Sequence, residues 1–251
     1  MRVKDLGRRR KILDLLNDKS HLSVQQLAEL ASVSLPTIRR DLRELEEQGL
    51  VIRENGIVLL QGISAETKHY QRENHNLDLK KRIAKHVAAN VSDGEVIALD
   101  IGTTCVEIAK ELCSRSNLTV FTSSVQAATI LSRTNLSVYL VGGFLRNAQM
   151  ASVGSIAIDT ILKFKYDRFY MNLAGINNAD GPTDYNLEET EVKRAFISRS
   201  REVTAVLDRT KIGKSALVKV CELEQINEIV TNRYEHPAEP LNFDGKLTLI
   251  E

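Results

Sequence analysis

Residues 27–53 read Leu27-Ala-Glu-Leu-Ala-Ser-Val-Ser-Leu-Pro-Thr-Ile-Arg-Arg-Asp-Leu-Arg-Glu-Leu-Glu-Glu-Gln-Gly-Leu-Val-Ile-Arg53. Ile38, Leu42 and Leu45 recur at helical spacing and predict a helix with one buried stripe. Ser34 stands where an N-cap is wanted, and Pro36 falls in the first turn, where a missing N–H is harmless. Gly49 ends the run. At about 100° per residue, Pro36, Arg40, Arg43 and Glu47 lie about half a turn from the stripe, flanked by Thr37 and Arg39. The N-terminal half of the helix therefore shows a small hydroxyl residue and three arginines. A helix that enters the DNA major groove needs such a surface, because its first turns approach base edges and arginine donates two hydrogen bonds to guanine. Ser34, Leu35, Pro36, Thr37, Arg39, Arg40 and Arg43 are the candidate DNA contacts. A plain solvated face is the alternative, since Glu44, Glu46 and Glu47 lie there too.

Working upstream, Ser23 with Gln26 forms a capping box, with Leu22 placed to staple it. Val24, Leu27, Ala28 and Ala31 then mark one face of a short helix, which Val33-Ser34 breaks. Leu6, Ile12, Leu13, Leu15 and Leu16 punctuate an earlier basic helix. Working downstream, Leu50–Arg53 and Ile57–Leu60 are strand-like runs around Asn55-Gly56, the strongest short-range hairpin signal. Three helices and a two-stranded hairpin make a winged helix-turn-helix over residues 1–61, with Arg53 on the wing within reach of a phosphate.

Residues 62–77 are polar and aperiodic and predict a linker to a second domain at 78–251. There, helical stretches alternate with the apolar runs Val96–Leu99, Leu118–Phe121, Val138–Val141, Arg168–Met171, Val203–Leu207 and Glu228–Thr231, which predicts a mostly parallel α/β sheet. Ligands of open α/β sheets bind at the carboxyl ends of the strands. Those ends here carry Asp100-Ile-Gly102-Thr103-Thr104, Thr122-Ser123-Ser124, Gly142-Gly143 and, later, Glu188 and Lys211. Gly-Thr-Thr at a helix start offers free N–H groups, hydroxyls and the positive end of a helix dipole, which suits a phosphate. Lys211 would add a counter-charge, and Asp100 and Glu188 would accept from sugar hydroxyls. Each motif alone is more often a cap, a turn or a surface pair, so the case rests on their accumulation. The absence of G-x-G-x-x-G and of a Walker lysine loop disfavours dinucleotides and ATP, and no cofactor is expected.

Composition narrows the field. With 251 residues, 43% hydrophobic and 27% charged, the chain is an ordinary globular one rather than a disordered or low-complexity one. No run approaches a membrane span, and the N-terminus shows no apolar signal region, so the expectation is cytoplasmic. Cys105, Cys113 and Cys221 are scattered and suggest reduced thiols rather than a metal site. Residues 1–62 carry 11 Lys+Arg against 9 Asp+Glu, and the remainder 23 against 24. Nucleic-acid binding must therefore rest on patterning rather than bulk charge.

The stretch at 27–53, above all Val33-Ser34-x-x-Thr37-Ile38-Arg39-Arg40-Asp41-Leu42, resembles the DNA-binding signature of the DeoR family of bacterial transcription regulators. The wing departs from the family's usual Gly-Gly pair, reading Glu54-Asn55-Gly56-Ile57. Asp100-x-Gly-Thr-Thr, Val141-Gly-Gly, Asp180-Gly-Pro-Thr, Asn186-x-Glu188-Glu189-x-x-Val192-Lys193 and Asp208-x-Thr-Lys211-x-Gly213 resemble that family's effector domain. The resemblance implies a fold similar to ribose-5-phosphate isomerase and a phosphorylated sugar or related metabolite as effector. The expected protein is a repressor of carbohydrate-metabolism genes, partnered by double-stranded operator DNA, without membrane attachment, and a homo-oligomer (dimer or tetramer). Two other readings remain: a sugar-phosphate isomerase with an appended helical domain, in which Asp208, Lys211 and Glu188 move protons, and an interaction scaffold, whose DNA affinity would not fall with salt.

Overall fold

The computed structural model of the chain describes residues 3–19, 21–47, 50–54, 56–60, 76–233 and 241–251. It divides into two compact units, Met1–Gln71 and Arg72–Glu251. The linker expected at 62–77 lies outside the described residues as far as 75, and Leu77 opens the first helix of the second unit.

The first unit runs α1 (Val3–Lys19), β1 (His21–Ser23), α2 (Val24–Ala31), α3 (Leu35–Glu47), β2 (Val51–Glu54) and β3 (Ile57–Leu60). Ser23 forms the anticipated capping box with Gln26, and α2 stops at Ala31 because Ser32 turns left-handed (φ 56°). The turn to α3 is thus only Ser32–Ser34. β2 and β3 pair antiparallel with Glu54 opposite Ile57, which makes a two-residue hairpin loop. Gly49 and Asn55, read as helix stop and turn residue, lie outside the described residues. Leu22 does more than staple: it lies on β1, which extends the wing to three strands in the order β1-β3-β2. Ile12, Leu16, Leu22, Leu27, Ile38, Leu42, Leu45, Val51 and Val58 form one core.

The second unit is a seven-stranded sheet with every neighbouring pair parallel. The chain enters it after α4 (Leu77–Ala89) at β4 (Val96–Leu99). It proceeds through α5 (Thr103–Leu112), β5 (Thr119–Thr122), α6 (Val125–Leu131) and β6 (Ser137–Leu140). A hairpin of β7 (Phe144–Arg146) and β8 (Ala151–Val153), then α7 (Ser155–Ile161), lead to β9 (Tyr166–Asn172). Next come β10 (Gly175–Asn177), β11 (Gly181–Asp184), α8 (Leu187–Arg199), β12 (Ser200–Val206), β13 (Val218–Lys219), β14 (Glu228–Asn232) and β15 (Lys246–Ile250). The strand order is β15-β14-β12-β9-β4-β5-β6, and β10, β11 and β13 form a small antiparallel sheet beside it.

Both faces of the large sheet are covered, which is why its strands read as unbroken apolar runs. Ala98, Phe121, Phe169, Met171 and Ala205 face one core, whereas Ile97, Leu99, Val120, Tyr170 and Val206 face the other. The chain starts at β4 in the middle, winds outward to β6, and then returns to the opposite flank at β9. The direction of winding therefore reverses between β4 and β9, and the carboxyl ends of those two strands frame the crevice where ligands of such sheets sit.

Candidate DNA interface and candidate effector site

α3 presents the predicted surface. Ser34, Leu35, Pro36, Arg39, Arg40 and Arg43 are exposed and Thr37 is half-buried, while Ile38, Leu42 and Leu45 are buried. The Ser34 and Thr37 hydroxyls lie 2.9 Å apart and join the cap to the first turn. Arg53 is exposed on the wing but tied to α3: its Nε donates to Glu46 Oε2 at 2.9 Å. That hydrogen bond holds the Glu46 carboxyl below its ordinary value. Being exposed, the pair is weakened by water and salt.

One residue of α3 was not singled out beforehand. Asp41 is fully buried, three residues after Ile38 on the apolar stripe. Arg8 of α1 grips it with Nε and, at 2.9 Å, Nη2, and Arg9 Nε stands 3.5 Å away. Arg9 also pairs with Glu44. The clamp fixes the rotation of α3 against α1 and so turns its opposite, arginine-bearing face outward. The signal was present in the sequence: an acidic residue on an apolar stripe, with arginines on a neighbouring basic helix. Replacing Arg40 by alanine is expected to weaken operator binding by about 1–3 kcal/mol, the worth of one base contact, with the melting temperature unchanged. Fluorescence anisotropy with operator duplex measures it, and unaltered affinity would remove Arg40 from the contacts.

In the second unit Asp100 and Gly102 lie at the carboxyl end of β4 and Lys211 bonds Asn172 at the end of β9, while the ends of β5 and β6 carry Thr122, Ser123, Ser124, Gly142 and Gly143. Asp100, at the end of β4, is 1% exposed and forms an ion pair with the fully buried Lys193 of α8. It also accepts from the Asn172 backbone N–H at 2.9 Å. Lys193 donates to the Asn172 carbonyl at 2.9 Å and lies 3.2 Å from Asp184. Burial pulls the Lys193 pKa down, but the charges of Asp100 and Asp184 and the hydrogen bond from Lys193 to Asp100 outweigh it and hold the ammonium above the ordinary lysine value. The expectation that Asp100 accepts from a ligand hydroxyl therefore gives way to a positioning role, joining β4, β9 and α8.

Glu188 stands beside a second engaged carboxylate. It is exposed, and its neighbour Glu189 is the residue turned inward, paired with Arg146 of β7. Glu189 and Lys193 share a helix face at i and i+4, and Glu188 is rotated about 100° away. Burial raises the Glu189 pKa against the pull of Arg146. Asn186 caps α8 by accepting from the Glu189 N–H at 3.0 Å.

Thr122, Ser123 and Ser124 are buried and shape the neighbouring backbone. Thr122 Oγ1 accepts from Ser124 N at 3.0 Å, Ser124 Oγ caps α6 through Ala127 N at 3.1 Å, and the Ser123 carbonyl takes the Ser152 N–H at 2.8 Å. Gly142 and Gly143 are exposed. Gly143 (φ 150°) has no room for a side chain, because a Cβ would stand 2.6 Å from the Val153 carbonyl oxygen.

What remains open is the start of α5. Gly102 is its N-cap and supplies no side-chain hydrogen bond. With φ at 100° and a would-be Cβ 2.6 Å from Asn172 Nδ2, the position requires glycine. Lys211 reaches the other side of the same amide, with Nζ 2.9 Å from Asn172 Oδ1 and 2.6 Å from the Leu173 carbonyl. Thr104 is fully buried, and among the described residues nothing hydrogen-bonds its Oγ1. Thr103 lines a cleft of about 440 Å³ between the first turns of α5 and α6, together with Val106, Glu107, Val125, Gln126 and Met150. Sequence reasoning missed Asn172, Asp184 and Arg146, because isolated polar residues without a motif carry no local signal. Among the described residues, no cluster of side chains suits a metal ion and no helix is long and apolar enough to cross a membrane.

Comparison with known proteins assigns both units to one family. Residues 8–61 match the family described as DeoR-like helix-turn-helix domain, and residues 75–233 match the DeoR C terminal sensor domain. The chain is 32% identical over 231 residues to the glycerol-3-phosphate regulon repressor of Escherichia coli, covering 92% of each chain. It is 34% identical to the transcriptional regulator GolR of Listeria innocua, covering 90% of this chain and 89% of that one. It is 31% identical to the transcriptional repressor GlcR of Bacillus subtilis, covering 90% and 88%. Among solved structures, the sorbitol operon regulator SorC of Klebsiella pneumoniae aligns with a TM-score of 0.42 at 14% identity, covering 92% of this chain and 97% of that one. Ribose 5-phosphate isomerase A of Methanocaldococcus jannaschii aligns with a TM-score of 0.41 at 17% identity over 55% of each chain.

Proposed function

The chain belongs to the DeoR family of transcription regulators, and from that premise we propose that it represses carbohydrate genes under the control of a small phosphorylated sugar or polyol held at the β4/β9 crevice. One observation carries the ligand reading. Among the described residues, the N-terminus of α5 has no side-chain cap, lies at the switch point of the sheet near the Lys211 ammonium, and contains the buried hydroxyl of Thr104, which nothing there hydrogen-bonds. A phosphate group satisfies all three: oriented N–H groups, a cation and a hydroxyl donor. The polar and apolar lining of the cleft beside Thr103 suits the carbon chain of the ester. The naming of a relative as a glycerol-3-phosphate regulon repressor supports the same chemical class.

The site binds rather than catalyses in this reading. Asp100 is neutralised by Lys193, Glu189 faces Arg146, and Asp208 Oδ1 accepts from Thr210 N at 3.0 Å, so each of these carboxylates is engaged where a proton-transfer base must be available. Turnover of ribose 5-phosphate at enzyme-like rates by the purified chain would reverse this assignment. The working form is a dimer or tetramer in the cytoplasm, because two winged helices read the two halves of a symmetric operator on chromosomal DNA.

A thermal-shift panel of sn-glycerol 3-phosphate, D-ribose 5-phosphate and D-glucose 6-phosphate tests the proposal, since a ligand that binds only the native state raises the melting temperature by mass action. At least one ester is expected to do so and to change operator affinity. Lys211→Ala should lose both responses while binding operator as the wild type does. Loss of operator binding along with the responses would make Lys211 a structural residue.

A further inference from the structure

The large sheet of the second unit ends at β6 (Ser137–Leu140), and among the described residues no strand pairs with its outer side. Ser137 N donates to the Leu118 carbonyl at 3.1 Å and Val141 N to the Thr122 carbonyl at 2.9 Å. Backbone groups alternate along a strand, so Ser137, Tyr139 and Val141 bond toward β5, and the N–H and C=O of Val138 and Leu140 face outward. Unpaired edge groups are a template for another strand, and proteins usually guard them with lysine, proline or a bulge. β6 reads Ser-Val-Tyr-Leu and pairs residue for residue with β5, so it carries none of these guards. The opposite edge, β15, opens on Lys246. Half of the large apolar side chains exposed among the described residues fall between Tyr139 and Phe164. The Tyr139 ring stacks on Phe121 with centroids 4.4 Å apart, and the Phe164 centroid lies 6.2 Å from it. Phe144 follows across Gly142-Gly143, and a Cβ at Gly143 would stand 3.1 Å from the Cβ of Ala157, the neighbour of Ile156. Tyr139, Leu140, Phe144, Ile156 and Phe164 are between 38% and 67% exposed.

We propose that β6 is a dimer seam, where it pairs antiparallel with β6 of a second copy about a two-fold axis at Tyr139. The proposal rests on the oligomeric regulator read above and names the face that joins its subunits. In this register Val138 lies opposite the partner's Leu140 and exchanges both N–H···O bonds with it, and Leu140 does the same with the partner's Val138. The two Tyr139 residues then form the closer, non-hydrogen-bonded pair, with Cα atoms about 4.5 Å apart. Their rings leave the sheet on one face, each already stacked on its own Phe121, and meet as a cross-strand aromatic pair. The edge is self-complementary, since the same residues serve both sides, as a two-fold interface requires. Its five exposed apolar side chains offer roughly 600 Å², the upper end for a patch on a monomer, and the strand backbone brings this toward the ~800 Å² that each partner of a stable dimer buries. The occupant is a second copy, because its β6 matches this edge group for group and a symmetric operator calls for two copies.

The test uses the full chain without DNA. Sedimentation velocity reads the oligomeric state of the wild type and of Tyr139→Lys, which sets like charges directly opposite each other at the axis. Circular dichroism and melting temperature show whether the variant is folded. Its dimer dissociation constant is expected to rise about a hundredfold or more, because a change at the axis is felt on both sides. A second arm uses Tyr139→Cys, combined with Cys113→Ser because Cys113 is exposed whereas Cys105 and Cys221 are buried. Opposed Cα atoms about 4.5 Å apart are within disulfide reach, so diamide, which takes up the two thiol hydrogens, should link the subunits covalently. Leu247→Cys on the β15 edge, in the same background, is the control and should stay unlinked. A covalent dimer from Tyr139→Cys together with dissociation of Tyr139→Lys supports the seam. If Tyr139→Lys fails to fold, the cross-linking arm decides alone. Wild-type association in folded Tyr139→Lys, or an oligomeric Tyr139→Cys that stays unlinked, overturns the seam and leaves the oligomeric reading intact. Equal linking from Leu247→Cys also overturns it, since random collision then accounts for both. A wild type that is monomeric at every concentration measured overturns the seam and the oligomeric reading together.

Discussion

Asp41→Ala is expected to abolish operator binding, although the side chain points away from the DNA-reading face. The carboxylate is the common counter-charge of Arg8 and Arg9, whose side chains are only 17% and 7% exposed. Removing it leaves two largely desolvated guanidiniums on α1 without the carboxylate they share, while Arg9 keeps its pair with Glu44. Breaking a buried pair from one side costs about 3–5 kcal/mol. That is a large fraction of what a unit of this size has available, because a small domain buries less of its surface. The first unit should therefore be mostly unfolded at physiological temperature, which circular dichroism and loss of its melting transition would record. Arg40→Ala, one residue away, makes the contrast: it should lose DNA affinity and keep its fold. Wild-type melting and operator binding in Asp41→Ala would show that the clamp does not hold α3.

Lys193→Met should destabilise the second unit to a similar degree, about 3–5 kcal/mol in urea unfolding at neutral pH. Methionine fills most of the volume, so the loss isolates the charge. Without the ammonium, Asp100 and Asp184 face each other at 2% and 10% side-chain exposure. The pH dependence carries a definite sign. In the wild type the Lys193 pKa is raised above 10.5, so its contribution is complete below that value and is lost only as pH climbs through the folded-state pKa. In the variant, Asp100 keeps the burial that raises its pKa and loses the ammonium that opposed the rise, and protonating it removes the penalty. The deficit should therefore shrink as pH falls from about 8 to about 5. A deficit that stays constant over that window would assign the loss to packing rather than to charge.

The arginine face of α3 was legible because a helix with a clear apolar stripe dictates what lies opposite it. The parallel sheet was legible because strands covered on both faces read as apolar runs, although their ends shifted: Arg168–Met171 widened to Tyr166–Asn172 and Val203–Leu207 moved to Ser200–Val206. β7, β8, β10, β11, β13 and β15 went unread. They are two to five residues long, and in β7 and β15 most side chains are exposed, so their pairing partners rather than their own composition define them. Asp100 and Glu188 were legible as polar residues at strand and helix ends, but the pairing of Asp100 with Lys193 was not. Whether a carboxylate awaits a ligand or neutralises a lysine depends on what packs against it from another element.

By itself, the order of residues determined the local periods: three helices, a hairpin, and alternating strands and helices whose carboxyl ends are polar. Each of these follows from neighbours within a few positions. Only the tertiary structure decided which charges meet. It placed Lys193 beside Asp100 across 93 positions and Asn76 beside Asp208 across 132. Buried polar groups must find partners wherever the folded chain brings them, and separation along the chain does not encode that distance.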